Sequence, residues 1–182
     1  MPQKIYEETR KIMNIIFLDI DGVLNCFQYY ENLPESRKCS KHTEINDYNV
    51  QMLAKIYHAC NAKIVLSSTW RELDCDNPSC KAMYQYLIDS LAKYDMDIID
   101  KTPIIHLNRP LEIKTWLNER PDKNDIRFIS LDDDFTKNDY VQYGIGECLI
   151  KTEFWSDTEE TGGLQEWHVE KAIEILNGET NG

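Results

Sequence analysis

Basic side chains are scarce in this sequence: 20 Lys+Arg stand against 32 Asp+Glu in 182 residues, giving a formal net charge of −12 and a pI near 4.7. Electrostatic binding to DNA, RNA or an anionic membrane depends on Lys and Arg neutralising phosphates, so extended nucleic-acid binding and membrane binding are not expected. A local basic pocket is compatible with that balance. Glycine (7) and proline (6) are also few, and a 42% hydrophobic, 29% charged composition excludes disordered and fibrous classes. Long apolar runs are missing as well. The most hydrophobic N-terminal stretch, Ile12 to Leu24, is interrupted by Asn14, Asp19 and Asp21, which suits neither a signal-peptide core nor a membrane span. The expectation is a cytoplasmic protein with reduced thiols, because its six cysteines (Cys26, Cys39, Cys60, Cys75, Cys80 and Cys148) lie at irregular spacings. Cys39, Cys75 and Cys80 lack both a Cys-x-x-Cys pair and a fourth ligand for zinc. The four histidines, His42, His58, His106 and His168, stand in no ligand spacing either.

What is present alternates between two periodicities. Short apolar runs at Ile15–Leu18, Ile64–Leu66 and Arg127–Leu131 read as buried strands, and each ends in polar chemistry: Asp19-Ile20-Asp21-Gly22, Ser67-Ser68-Thr69 and Asp132-Asp133-Asp134. Between and after them, Val50, Leu53, Ala54, Tyr57 and Cys60 keep helical spacing. So do Tyr84, Leu87, Ile88 and Leu91. A further helix is expected near Pro110, capped by Asn108 or Arg109 and ending before Pro121. Cys148-Leu149-Ile150 reads as a last strand, followed by a terminal helix from Leu164 to Leu176 that Asn177-Gly178 closes. This alternation predicts an α/β fold, doubly wound, with a mainly parallel sheet, helices on both faces, and a ligand site beyond the carboxyl ends of the strands. Residues 1–182 are read as one domain. The long polar connection at 25–46 is either a small lid-like insertion or an irregular surface loop.

Two carboxylates two residues apart at a strand end can divide labour, one as nucleophile and the other exchanging protons with a leaving group. The run Phe17-Leu18-Asp19-Ile20-Asp21-Gly22-Val23-Leu24-Asn25 resembles the first motif of the haloacid dehalogenase-like (HAD) superfamily. Leu66-Ser67-Ser68-Thr69-Trp70-Arg71 and Leu131-Asp132-Asp133-Asp134 look like the corresponding parts of HAD domains found in multidomain RNA-repair proteins. The resemblance implies a Rossmann-like HAD core with a small or absent cap. It implies Asp19 as the nucleophile that forms an aspartyl-phosphate and Asp21 as the acid and base. It also implies Mg²⁺ held by Asp19, the backbone carbonyl of Asp21, Asp132 and Asp133, with Asp134 as a turn or helix cap; which of the three consecutive aspartates ligates directly is left open.

A phosphate dianion facing several carboxylates needs donors and a cation besides the metal. By the family pattern Ser67 binds a phosphoryl oxygen, with Ser68 adding a backbone N–H or the register lying one residue later, and Lys114 neutralises the phosphoryl group and nucleophile. Arg71, beside Trp70, either contacts substrate or packs at the sheet edge. Arg109 either reaches substrate or ties down the helix entrance. The implied function is a Mg²⁺-dependent phosphomonoester hydrolase acting on a nucleotide or nucleic-acid-end phosphate. The alternatives are a phosphatase of another phosphorylated small molecule or a phosphoprotein, and a non-catalytic phosphate-binding module on the same fold.

Overall fold

Ile15, Ile16, Phe17 and Leu18 have no exposed surface, and consecutive buried residues on a strand require cover on both faces of the sheet. The computed structural model, which describes residues 12–38 and 44–179, places them in β1 (Met13–Leu18) at the centre of a five-stranded sheet. Its partners are β2 (Lys63–Leu66), β3 (Ile98–Lys101), β4 (Ile126–Asp132) and β5 (Leu149–Lys151). The order is β3-β2-β1-β4-β5, and every pairing is parallel. Side-chain alternation splits the core in two. Ile16 and Leu18 face a cluster built with α2 (Asp47–Ala59), α3 (Pro78–Ala92) and α6 (Glu166–Asn177), whereas Ile15 and Phe17 face α4 (Arg109–Asn118) and α5 (Lys137–Val141). On the second face the Phe17 and Trp116 rings meet edge to face at 5.3 Å. The doubly wound α/β expectation is met.

Register positions the chemistry. Leu18 pairs with Leu66 on one side and Leu131 on the other, so the residues that follow, Asp19, Ser67 and Asp132, come level at the carboxyl edge of the sheet. Backbone bonds carry the alignment one step beyond the leucines: Asp19 N–H donates to the Leu131 carbonyl at 3.1 Å, and Ser67 N–H to that of Leu18 at 2.8 Å. The chain builds outward from β1 to β3 and then returns to the other side of β1 as β4. The crevice between β1 and β4 is therefore the switch point where such folds bind ligands.

Local signals explain the element ends. Asn46 and Asn77 cap α2 and α3 with their side chains, Asn108 caps α4 by accepting from Leu111 N–H at 3.2 Å, and Gly178 closes α6 at φ 74°. β3 was not expected. It is a half-buried edge strand of four residues, Ile98-Ile99-Asp100-Lys101, without the apolar run that marks its neighbours. The connection at 25–46 contains α1 (Phe27–Asn32), which is tied by the Phe27 N–H to the Phe154 carbonyl at 2.9 Å, and its far end is stitched by Asn46 N–H to the Leu24 carbonyl at 2.8 Å. Residues 39–43 of it, including Cys39 and His42, lie outside the described residues. No described helix is long and apolar enough to cross a membrane.

Candidate active site

Asp19, Asp132 and Asp133 converge at the switch point, each offering an oxygen within 4.8 Å of the others. Asp19 is 5% exposed. Its Oδ1 accepts the Ile20 N–H at 2.8 Å, its Oδ2 meets Arg109 Nη1 at 2.7 Å, and the Ser68 hydroxyl is a further partner. Burial, with the Asp132 charge adding to it, pushes the Asp19 carboxyl up to about 6 against the pull of Arg109. Arg109 Nη1 also bonds Asp132 Oδ2 at 2.8 Å, and these two carboxylates hold its guanidinium above its ordinary value despite burial.

The three consecutive aspartates do different things. Asp132 is fully buried and saturated: Oδ1 accepts the N–H groups of Asp134 (2.9 Å) and Phe135 (3.1 Å), while Oδ2 accepts from Arg109 and from the Tyr140 hydroxyl (3.2 Å). A carboxylate has about four acceptor positions, and these donors fill them. Tyr140 is itself bonded to Ser130 Oγ at 2.7 Å. Asp133 has no such donor set among the described residues. Its carboxylate lies against Gly22, where an added Cβ would sit 2.1 Å from Asp133 Cγ, so Gly22 is required by this approach as well as by its φ of 72°. Burial and the charges of Asp134, Asp19 and Asp132 push Asp133 up to about 7, and Lys151, whose ammonium bonds the Asp133 backbone carbonyl, opposes the rise. An all-oxygen, negatively charged set with one carboxylate free of donors fits a hard divalent cation.

Other expected site residues are placed differently. Lys114 is not brought to the cluster: it lines a cavity of about 480 Å³ with Ile126, Arg127 and Phe128, at the opposite end of β4 from Asp132. The reason is helical geometry. α4 starts at the site with Arg109 and runs back along the sheet, so a residue five positions on lies about 7.5 Å lower and roughly 140° around the axis. Arg109 occupies the cationic position instead. Ser67 is buried with its hydroxyl accepting from Thr102 Oγ1 at 3.3 Å, and Ser68, one residue later, is the serine beside Asp19. Arg71 is spoken for. Its Nη2 pairs with Glu112 at 2.9 Å and its Nη1 donates to the Ser68 carbonyl at 3.0 Å, both partners being buried, so it braces the turn after β2 against α4. Among the described residues, the aspartate cluster is the one grouping able to hold a metal, and Cys75 and Cys80 take no part in it.

Residues 15–161 match the family described as the HAD domain in Swiss Army Knife RNA repair proteins. The chain belongs to this HAD family. Comparison with curated proteins and with solved structures gives no match. The HAD match spans β1 to the loop after β5 and so contains every residue of the cluster. Sequence reasoning missed Tyr140 and Lys151 in this HAD site. It left Arg109 with two readings and the helix cap open between Asn108 and Arg109; the side-chain cap at Asn108 puts Arg109 in the first turn of α4, at the sheet's carboxyl edge.

The raised carboxyls set the pH dependence of stability. Asp19 and Asp133 hold protons more readily when folded than at the ordinary value of 3.8, so the unfolded chain binds fewer protons up to about pH 7. Stability of the metal-free protein then falls as pH rises through that window. Asp133→Asn is expected to flatten the fall and to raise the thermal midpoint at about pH 7.5 by about 3–6 °C. Calorimetry of both proteins in EDTA across that range checks it; identical slopes would remove Asp133 as the source.

Proposed function

We propose that the protein is a Mg²⁺-dependent phosphomonoester hydrolase that works through an aspartyl-phosphate on Asp19. The observation that carries this reading is the placement of Asp19 between a guanidinium and two further carboxylates at the switch point, with Asp21 two residues on. Asp19 Oδ attacks phosphorus, held in line by the Ile20 N–H and Arg109. Asp21 gives a proton to the leaving oxygen and later takes one from the water that hydrolyses the intermediate. Ser68 and Arg109 supply donors to the phosphoryl oxygens. Mg²⁺ would be held by Asp133, Asp19 and the Asp21 backbone carbonyl, and when bound it supplies charge neutralisation for the incoming phosphate. Asp132, saturated by its four donors, fixes Arg109 and the turn that presents Asp133.

A base-bearing substrate is supported by the loop after β5, which Leu164 N–H ties to the Val23 carbonyl, two residues beyond Asp21, at 2.8 Å. Trp155, 74% exposed, lies over Phe27 with centroids 4.8 Å apart and is crossed by Phe154 at 5.0 Å. Such a held, open ring offers a stacking face for a nucleobase. Glu153, Asp157, Glu159 and Glu160 on the same loop disfavour the phosphates of a long strand, so a nucleotide or a short nucleic-acid end is the substrate class. The family's description as RNA-repair HAD domains agrees with that class. We place the reaction in the cytoplasm and treat the chain as one catalytic domain.

The test is phosphate release from p-nitrophenyl phosphate, glycerol phosphate, mononucleotides and 3′- or 5′-phosphorylated oligonucleotides, with Mg²⁺ or EDTA. Mg²⁺-dependent release that favours base-bearing esters is the expected result. Tight binding of nucleotides without any release would instead establish a binding module.

A further inference from the structure

Both oxygens of the Asp21 carboxylate are gripped by neutral donors. Asn25 Nδ2 donates to Oδ1 at 3.1 Å, and the Trp70 indole Nε1–H donates to Oδ2 at 2.9 Å. The two donors come from different parts of the chain and each is fixed independently. Asn25, 2% exposed, accepts the Gly22 N–H at 2.9 Å on its own carbonyl oxygen, and its amide also reaches the Glu44 carbonyl at 3.2 Å. Trp70, 4% exposed, opens the short turn after β2, its backbone N–H capped by Ser68 Oγ at 3.3 Å and the turn braced by the buried Arg71–Glu112 pair.

This arrangement has a geometric consequence. The terminal torsion of an aspartate is broad and roughly two-fold, so an ungripped carboxylate samples many orientations. Two N–H donors on separate oxygens select one orientation. They occupy about two of the four acceptor positions and leave one free on each oxygen for a proton in transit. Leaving an indole N–H buried without an acceptor is costly, so the same bond holds Trp70 in place.

We propose that Trp70 and Asn25 are positioning residues for proton transfer by Asp21, an inference that rests on the phosphatase reading above. In the first step the Asp19 Oδ–P bond forms, the P–O bond to the leaving group breaks, and the Asp21 proton moves to the leaving oxygen, so the alcohol departs neutral. In the second step a water oxygen bonds to phosphorus, the Asp19 Oδ–P bond breaks, and the water proton returns to Asp21. A misaligned Asp21 slows the first step only where the leaving oxygen needs a proton. It slows the second step for every substrate.

The experiment compares an alkyl ester, glycerol phosphate, with dinitrophenyl phosphate, whose leaving group departs without a proton. Trp70→Phe is expected to lower kcat/KM for glycerol phosphate by about 10- to 100-fold, a part of the range general acid–base catalysis supplies. It leaves kcat/KM for dinitrophenyl phosphate unchanged, while kcat for that ester falls and a burst of dinitrophenolate appears as the intermediate accumulates. Benzothienylalanine at position 70, which keeps the ring shape and lacks the N–H, is expected to reproduce both effects and decides the matter if the phenylalanine variant fails to fold. Equal losses for the two esters, or wild-type kinetics with benzothienylalanine, would overturn the positioning role while leaving the phosphatase reading intact. Absence of turnover in the wild-type protein with both esters and with the mononucleotides and phosphorylated oligonucleotides above would remove that reading and this inference with it.

Discussion

Asp19→Asn is expected to cut turnover of every phosphate ester by about 10⁴-fold or more, with the fold retained. The amide nitrogen and oxygen are poor nucleophiles, so no acyl-phosphate forms. Retention of the fold follows from the local charges: Asp19 already lies where burial and Asp132 disfavour its ionised form, and a neutral amide relieves that repulsion. The amide oxygen can still accept from Arg109, which keeps Asp132 as its charged partner. Steady-state phosphate release, read beside the circular dichroism of both proteins, checks the prediction. Residual activity within tenfold of wild type would place the nucleophile elsewhere.

The second large effect concerns stability. Arg109 Nη1 touches both Asp19 and Asp132, and all three side chains are buried. Arg109→Met leaves two carboxylates facing one another without a cation, and breaking a buried pair in this way costs about 3–5 kcal/mol. For a chain of this size the thermal midpoint falls by about 10 °C. The deficit is larger at about pH 8 than at about pH 5, because protonation removes the uncompensated charge at the lower value. Lys114→Ala is the control. Its ammonium lies at the other end of β4, so stability changes by no more than about 0.5 kcal/mol and turnover is unchanged. A Lys114 variant with the larger deficit would reverse the assignment of the site's cation.

Much of this arrangement is legible in the sequence, and the limits have physical causes. Ile15–Leu18 and Arg127–Leu131 read as strands because apolar runs stop abruptly at carboxylates, and parallel pairing then brings Asp19 and Asp132 level. β3 escaped because an edge strand covered on one side has no such run. The choice between Arg109 and Lys114 turned on the rotation of α4 about its axis, which the cap at Asn108 fixes but proximity in sequence to Asp132 obscures. Ser67 and Ser68 differ by one step along an irregular turn, where strand alternation no longer decides which hydroxyl faces Asp19. Arg71 looked available because Glu112, its buried partner, is 41 residues away in sequence. The Trp70 donor on Asp21 comes from 49 residues away, and the Asn25 and Tyr140 donors, though only 4 and 8 residues from their acceptors, depend on irregular turns that no periodicity encodes.

The aspartyl-phosphate is tested at its source by rapid acid quench of the protein mixed with Mg²⁺ and dinitrophenyl phosphate, followed by peptide mass mapping. A transient gain of one phosphoryl group on the peptide that carries Asp19, absent in Asp19→Asn, is the expected result. Phosphate release without a phosphorylated peptide, or with the phosphoryl group on another residue, would rule out Asp19 as the nucleophile.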